Sequence, residues 1–408
     1  MEIQLDDSDN RLTRRPDIGR TRSRPSFLSL PSLPSLLVRT GAVLACMLGV
    51  VSIGWAEPRQ ERLLAEDYFL NVPDMGEIPV DEFIETMGMF SSALGLNCAD
   101  CHTFESSSSW AAYADETPIK RTTRRMINMV RDINQDHFGG QPFVSCWTCH
   151  RGDLRPKVVP NLIVQYTAPI EDPNDPMFIP DPDAPPATDI FDEYIEALGG
   201  AEALANFTSM VATGNYNGFD TGFEDVPVEI YTNDSNQLAM DVHARAGDSV
   251  RVYDGENGWV AATDRAMPLL PLTGDTLDGA RIEAMRMFPA SLQAERNFWQ
   301  MSYAEIDEQL VRVLRGISPG KTPINLYFDD AGLLVRLLRF VDTPVGRIPT
   351  EIDLSDYREV AGVMMPFSWR TRWTNGQAFI NLEDVQVNAA IDPSRFNEPA
   401  PSPPARAR

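Results

Sequence analysis

Two short stretches, Cys98-Ala99-Asp100-Cys101-His102 and Cys146-Trp147-Thr148-Cys149-His150, share the pattern Cys-x-x-Cys-His. Together they take four of the chain's five cysteines and two of its four histidines. The spacing lets two thiols add to the two vinyl groups of one haem while the adjacent histidine ligates the iron on its proximal face. A disulfide in each copy, or one zinc held by both cysteine pairs, would use the cysteines but would not call for a histidine directly after each second cysteine. The chain is therefore expected to carry two covalently bound c-type haems. Cys98 and Cys101 would hold one with His102 as iron ligand, and Cys146 and Cys149 the other with His150.

A c-type haem that passes electrons without binding substrate needs a sixth ligand, usually methionine or histidine. Val80, Phe83, Ile84, Met87, Phe90 and Leu94 recur at helical spacing, with Gly95 as a stop. Met87 is central to that stripe, whereas Met89 is turned about 200° around the helix. A second helix is expected from the Thr117-Pro118 cap to just before Gly139-Gly140, with Ile119, Met126, Val130 and Ile133 as its stripe. On it, Met126 and Met129 are both placed to face the second haem. His137, near the end of that helix, reads either as a ligand or as a terminal histidine favoured by the helix dipole. His243 reads as an ordinary strand residue. Arg124, Arg125, Arg131, Arg151, Arg155 and Lys157 surround the motifs in an otherwise acidic chain. Haem propionates are their natural partners, and a solvated basic face is the alternative.

Of the 408 residues, 59 are acidic and 35 basic, a net charge of −24 that repels nucleic-acid phosphates. The first 56 residues run against this trend, with seven arginines and five acids ahead of an apolar run from Gly41 to Trp55. That is the pattern of an export signal cleaved after Ala56, or of a retained N-terminal anchor, with Cys46 as signal filler. The domain reading is 1–56 signal or anchor, 57–167 dihaem module, 168–188 linker, 189–397 mainly β domain and 398–408 tail. Pro180, Pro182, Pro185 and Pro186 and the acids around them make the linker stiff, so the halves on either side are expected to share no core. Beyond it, a helix from Phe191 to Phe207 is interrupted at Gly199-Gly200. Eleven strand segments follow: 210–216, 228–231, 238–243, 250–253, 259–262, 311–314, 324–328, 333–341, 348–354, 366–373 and 379–385. One helix, Leu277 to Phe298, is expected to interrupt them. The fold class is thus multidomain, a helical multihaem cytochrome c module followed by a mainly antiparallel β domain with helices.

Residues Thr86 to His102, Arg125 to Asn134 and Val144 to Gly152 resemble the cytochrome c subunit of photosynthetic reaction centres. In that family a helix bearing a methionine ligand is followed by a turn and a haem-attachment motif. The resemblance implies Met87 and Met126 as distal ligands and His102 and His150 as proximal ones. Well-known members have four such motifs, twice the number here, and His137 lies near the place of a histidine that ligates a haem attached in the other half. Phe328 to Leu334, Asp356-Tyr357-Arg358 and Pro366-Phe367 resemble the lipoprotein-carrier half-barrel family.

The expected function is single-electron transfer by an exported, periplasmic protein. Its partners would be a basic soluble cytochrome and a membrane redox complex, the reaction centre if the organism is phototrophic. A carrier of apolar ligands or lipoproteins with a haem sensor or tether is the alternative. A peroxidase would need one iron without its distal methionine.

Overall fold

The computed structural model describes residues 62–160, 162, 178–263 and 265–403. The readings for residues 1–56 and for the first half of the 168–188 stretch lie outside them. None of the described helices is long and apolar enough to cross a membrane, which says nothing of strands.

The haem-motif region is a set of helices joined by loops: α1 (Ala65–Tyr68), α2 (Val80–Leu94), α3 (Cys98–Cys101), α4 (Pro118–Phe138) and α5 (Cys146–His150). The two long helices stop where the sequence predicts, at Gly95 and Gly139, both left-handed with φ of 64° and 62°. Thr117 caps α4, its hydroxyl accepting from the Lys120 amide, with Pro118 in the first turn.

After the linker come α6 (Ala187–Ala197) and α7 (Gly200–Ala205), broken at Gly199 as expected. Gly199 has a φ of 113°, and a Cβ there would lie 2.1 Å from the Gly362 carbonyl oxygen, so only glycine fits. The strands are β1 (Ser209–Gly218), β2 (Asp225–Asn233), β3 (Leu238–Ala244), β4 (Gly247–Tyr253), β5 (Gly258–Ala261) and β6 (Leu269–Leu272), followed by helices α8 (Gly274–Met285) and α9 (Pro289–Ala294). They continue with β7 (Phe298–Ile306), β8 (Gln309–Ile317), β9 (Ile324–Phe328), β10 (Leu334–Thr343), β11 (Gly346–Val360), β12 (Val363–Trp373) and β13 (Gly376–Val387). All thirteen form one antiparallel sheet in the order 6-5-4-3-2-1-13-12-11-10-9-8-7.

Two of these strands escape the sequence reading, and they are the two edges. Strand β6 is four residues long and contains Pro271, which an edge position tolerates. Strand β7 begins at the residue where the expected helix 277–298 was to end. That helix instead breaks before Pro289, which starts α9.

The sheet is curled, and one carboxylate demonstrates it. Glu283 on α8 meets Arg251 of β4 at 3.4 Å and Arg339 of β10 at 2.9 Å. These strands stand seven places apart in the sheet, which laid flat would separate them by roughly 34 Å. The sheet therefore wraps around α8 as a half-barrel. Ile282, Leu292 and the α6 residues Ile190, Phe191 and Tyr194 join the inward strand residues in the main apolar core.

The proline-rich linker does not isolate the halves, contrary to the expectation that they share no core. Met89, Ala93, Ile127 and Cys146 cluster with Val341, Val345 and Ile348 of the β10–β11 hairpin. Val80 clusters with Met267 and Leu270. Between these contacts the buried Asp81 carboxylate accepts from the Thr273 amide at 2.6 Å, the Thr273 hydroxyl at 3.0 Å and the Thr276 hydroxyl. Local composition reports that a linker is stiff. It cannot report that the chain on either side carries complementary surfaces.

Candidate haem-binding sites

Each attachment motif is a single helical turn with a side-chain cap. Asn97 caps α3 reciprocally with Asp100, and Ser145 caps α5 with Thr148. Capping matters here because a turn this short has no stability of its own. The α5 turn is further tied down on both sides. The Cys146 amide donates to Val345 O at 3.3 Å, and the Gly152 amide donates to Ala93 O at 2.9 Å. Asn134, buried on α4, brackets Val144 by donating to its carbonyl at 2.8 Å and accepting from its amide at 2.9 Å. Its polar identity inside a helix is the sequence signal for such a clamp.

The two histidines are held alike. His102 Nδ1 lies 3.2 Å from Tyr113 O, and His150 Nδ1 lies 3.0 Å from Asp153 O. A backbone carbonyl can only accept, so in both residues the proton sits on Nδ1 and the Nε2 lone pair is left for a metal. Burial, aided by nearby Lys120, lowers the His102 pKa and so favours the neutral ring that ligation requires. The His102 ring also packs on Tyr113, 4.6 Å between centroids, with Trp110 stacked beyond at 5.3 Å. Neither aromatic residue stands out in the sequence, because nothing local links a loop tyrosine to a histidine eleven residues earlier.

A cavity of about 1020 Å³ opens at the first motif. Cys98, Cys101, His102 and Met87 all line it, as do Phe83, Ile84 and Phe90 from the predicted stripe of α2. That stripe is only half-buried because it faces this hollow, while the opposite face of α2 is the one sealed against the sheet. Met89 belongs to that second face. It is buried beside Gly346, where an added Cβ would lie 3.2 Å from Met89 Cε. The two methionines thus part as the helical geometry predicts.

At the second motif Cys146 is buried and Cys149 exposed. Burial pushes the Cys146 thiol up to about 11. On α4, Met126 is half-buried and Met129 exposed. His137 is exposed in the last turn of that helix, and His243 pairs with Asp248 at 3.2 Å. Among the described residues no three of His, Cys, Asp and Glu converge as metal ligands would.

The basic residues are mostly engaged by protein. Arg124 pairs with Glu116 and, at 3.6 Å, with Asp74. Arg131 pairs with Glu77 and Lys157 with Asp153, while Arg151 forms the left-handed cap of α5. Arg124 also lines the cavity, as does Lys120.

Residues 55–172 match the family model described as photosynthetic reaction centre cytochrome C subunit. The photosynthetic reaction center cytochrome c subunit of Thermochromatium tepidum is 32% identical over 97 residues, 23% of either chain. Residues 55–172 are thus similar to that family. The Roseobacter denitrificans subunit is 29% identical over 103 residues, 24% of this chain and 27% of that one. Cytochrome c-554 of Chloroflexus aurantiacus is 37% identical over 65 residues, 15% of this chain and 14% of that one. The match thus spans about a quarter of the reaction-centre relatives. The similarity supports an electron-transfer cytochrome in general, with covalently bound c-type haem. The β half is similar to the LolA superfamily protein NE2245 of Nitrosomonas europaea, at 12% identity and a TM-score of 0.35, covering 52% of this chain and 99% of that one. It is also similar to a DUF1329 family protein of Desulfovibrio piger, at 10% identity and a TM-score of 0.34, covering 52% and 98%.

The cavity-lining donor set fits a haem. Two thiols, a proximal imidazole with its Nε2 uncommitted, and a methionine all border one hollow.

Proposed function

We propose that this chain is an exported dihaem c-type cytochrome that passes single electrons between redox partners. The observation that carries the reading is the pair of Nδ1-to-carbonyl contacts, which leave one imidazole nitrogen uncommitted directly after each cysteine pair. Cys98 and Cys101 would attach the first haem, with His102 and Met87 as iron ligands. Cys146 and Cys149 would attach the second, with His150 and Met126. Haem, when bound, supplies a one-electron ferric/ferrous couple. The protein's own part is to hold both imidazoles in one tautomer, to keep the Met87 thioether facing the first cysteine pair and to wall that site with Trp110 and Tyr113. Methionine in place of a second histidine raises the reduction potential. Residues 1–56 would direct export or serve as an anchor, with 57–167 as the haem module and 189–397 as the β domain. A net charge of −24 favours a basic soluble cytochrome as donor, and a membrane redox complex, the reaction centre in a phototroph, would be the acceptor.

Stopped-flow reduction by a small basic cytochrome tests this. The rate should fall as salt shortens the Debye length from about 30 Å to about 8 Å. In membranes of a phototrophic source, a flash should oxidise the haem. A chain that accepts no electrons from such a donor and answers no flash would sink the reading.

A second reading applies to the β half alone, as a carrier of apolar ligands. Its support is that the same cavity runs into the concave face of the sheet between apolar walls that include Tyr216, Ile230, Met240, Trp369 and Ile380.

A further inference from the structure

The floor of that cavity is cationic. Among the described residues Glu283 is the carboxylate that meets its arginines, and both Arg339 contacts, from Nε at 3.0 Å and Nη2 at 2.9 Å, and the Arg251 contact at 3.4 Å fall on the same oxygen, Oε1. Gly279 makes room for this arrangement, since a Cβ there would lie 2.6 Å from Arg339 Nη1. Arg286, one turn from Glu283 at the end of the same helix, has no carboxylate within ion-pair distance among the described residues. Its guanidinium lies 4.2 Å over the Trp369 ring, and the residue is half-buried where it lines the cavity. The buried Arg251 Nε lacks a hydrogen-bond partner. Two guanidinium groups thus share one carboxylate beneath apolar walls, and the third, Arg286, has none among the described residues.

A guanidinium set among apolar walls without a counter-charge is costly, and the cost falls when an anion binds. Contact with the Trp369 ring holds the Arg286 guanidinium at the cavity, and its planar donor fork suits a carboxylate. We propose that the half-barrel binds a long-chain amphiphile with a carboxylate head, the head seated on Arg286 and the chain lying along Ile230, Leu238, Met240 and Ile380. The proposal rests on the carrier reading of the β half and names its ligand class. Because Met87, Cys101 and His102 line the other end of the same cavity, the bound chain would lie beside the first haem site.

Equilibrium dialysis of the haem-loaded full-length protein against radiolabelled oleate and methyl oleate tests it. Oleate should bind at least tenfold tighter than the ester, the scale of a hydrogen bond to a charged group. Arg286→Gln should abolish that preference while leaving ester binding in place, and Arg286→Lys should keep part of it. Equal affinity for acid and ester, or a preference unchanged in Arg286→Gln, overturns the proposal but leaves the apolar-carrier reading standing. Binding of neither compound overturns both. A haem propionate is the other carboxylate source. If the protein ignores oleate and Arg286→Gln shifts one haem's reduction potential, the guanidinium serves that propionate and the proposal fails.

Discussion

Replacing Asp81 by alanine should uncouple the haem module from the sheet. The Asp81 carboxylate is 3% exposed and accepts three donors from the loop that starts α8. Two of those donors have a fallback. The Thr273 amide also reaches Thr276 Oγ1 at 3.1 Å, and the Thr276 hydroxyl also reaches Thr273 O at 2.7 Å. Each would exchange a charge-assisted bond for a neutral one, a loss of about 1 kcal/mol apiece. The Thr273 hydroxyl has no comparable alternative among the described residues, and leaving it buried and unmet costs about 1–3 kcal/mol. Loss of an acid from the first turn of α2 adds about 0.3–1 kcal/mol through the helix dipole. The sum is about 3–6 kcal/mol. Denaturant unfolding of the holoprotein, followed in parallel by haem absorbance and tryptophan fluorescence, measures it. The parent should give coincident transitions because the halves share two apolar clusters. In Asp81→Ala the haem signal should move first. A loss below about 1 kcal/mol with the transitions still coincident would refute the idea that this carboxylate joins the halves.

Burial and the neighbouring Asp81 push Glu82 up to about 7. Its folded pKa lies above its unfolded one, so the stability tied to its protonated form is full below about 4.5 and lost as pH rises through about 7. The unfolding midpoint should therefore drop across that window, and Glu82→Gln should flatten the drop. Protein made with c-type maturation should gain the mass of two haems, and replacing Cys146 and Cys149 by alanine should leave one, read by intact-mass spectrometry. Met87→Ala and Met126→Ala should each remove a methionine–iron absorbance band and lower one reduction potential, whereas Met89→Ala should spare the spectrum and cost about 2–5 kcal/mol of stability. A silent Met126→Ala paired with an altered His137→Ala would move the second distal ligand to His137.

The parts of the site that depend on spacing along the chain are legible in the amino-acid sequence. Cysteine pairs followed by histidine, the caps of α2 and α4, and the opposite placement of Met87 and Met89 all follow from covalent reach and the 3.6-residue helical turn. Interior strands are legible too, because strands buried between neighbours need β-branched and aromatic side chains. Edge strands β6 and β7 are not, since an edge is free to be short, polar or interrupted by proline. Nothing local marks Tyr113 as the carbonyl that sets the His102 tautomer, or Arg286 as a cation without a carboxylate. Both depend on residues brought together by loops and by the curl of the sheet. Spacing and residue type along the chain are enough to specify two Cys-x-x-Cys-His stretches and an antiparallel β half after them. That α2 seals one face against the sheet and turns the other toward a shared cavity is settled only by how the folded halves meet. Burial and hydrogen bonding between residues some 200 positions apart leave no periodic trace in the chain that could report them.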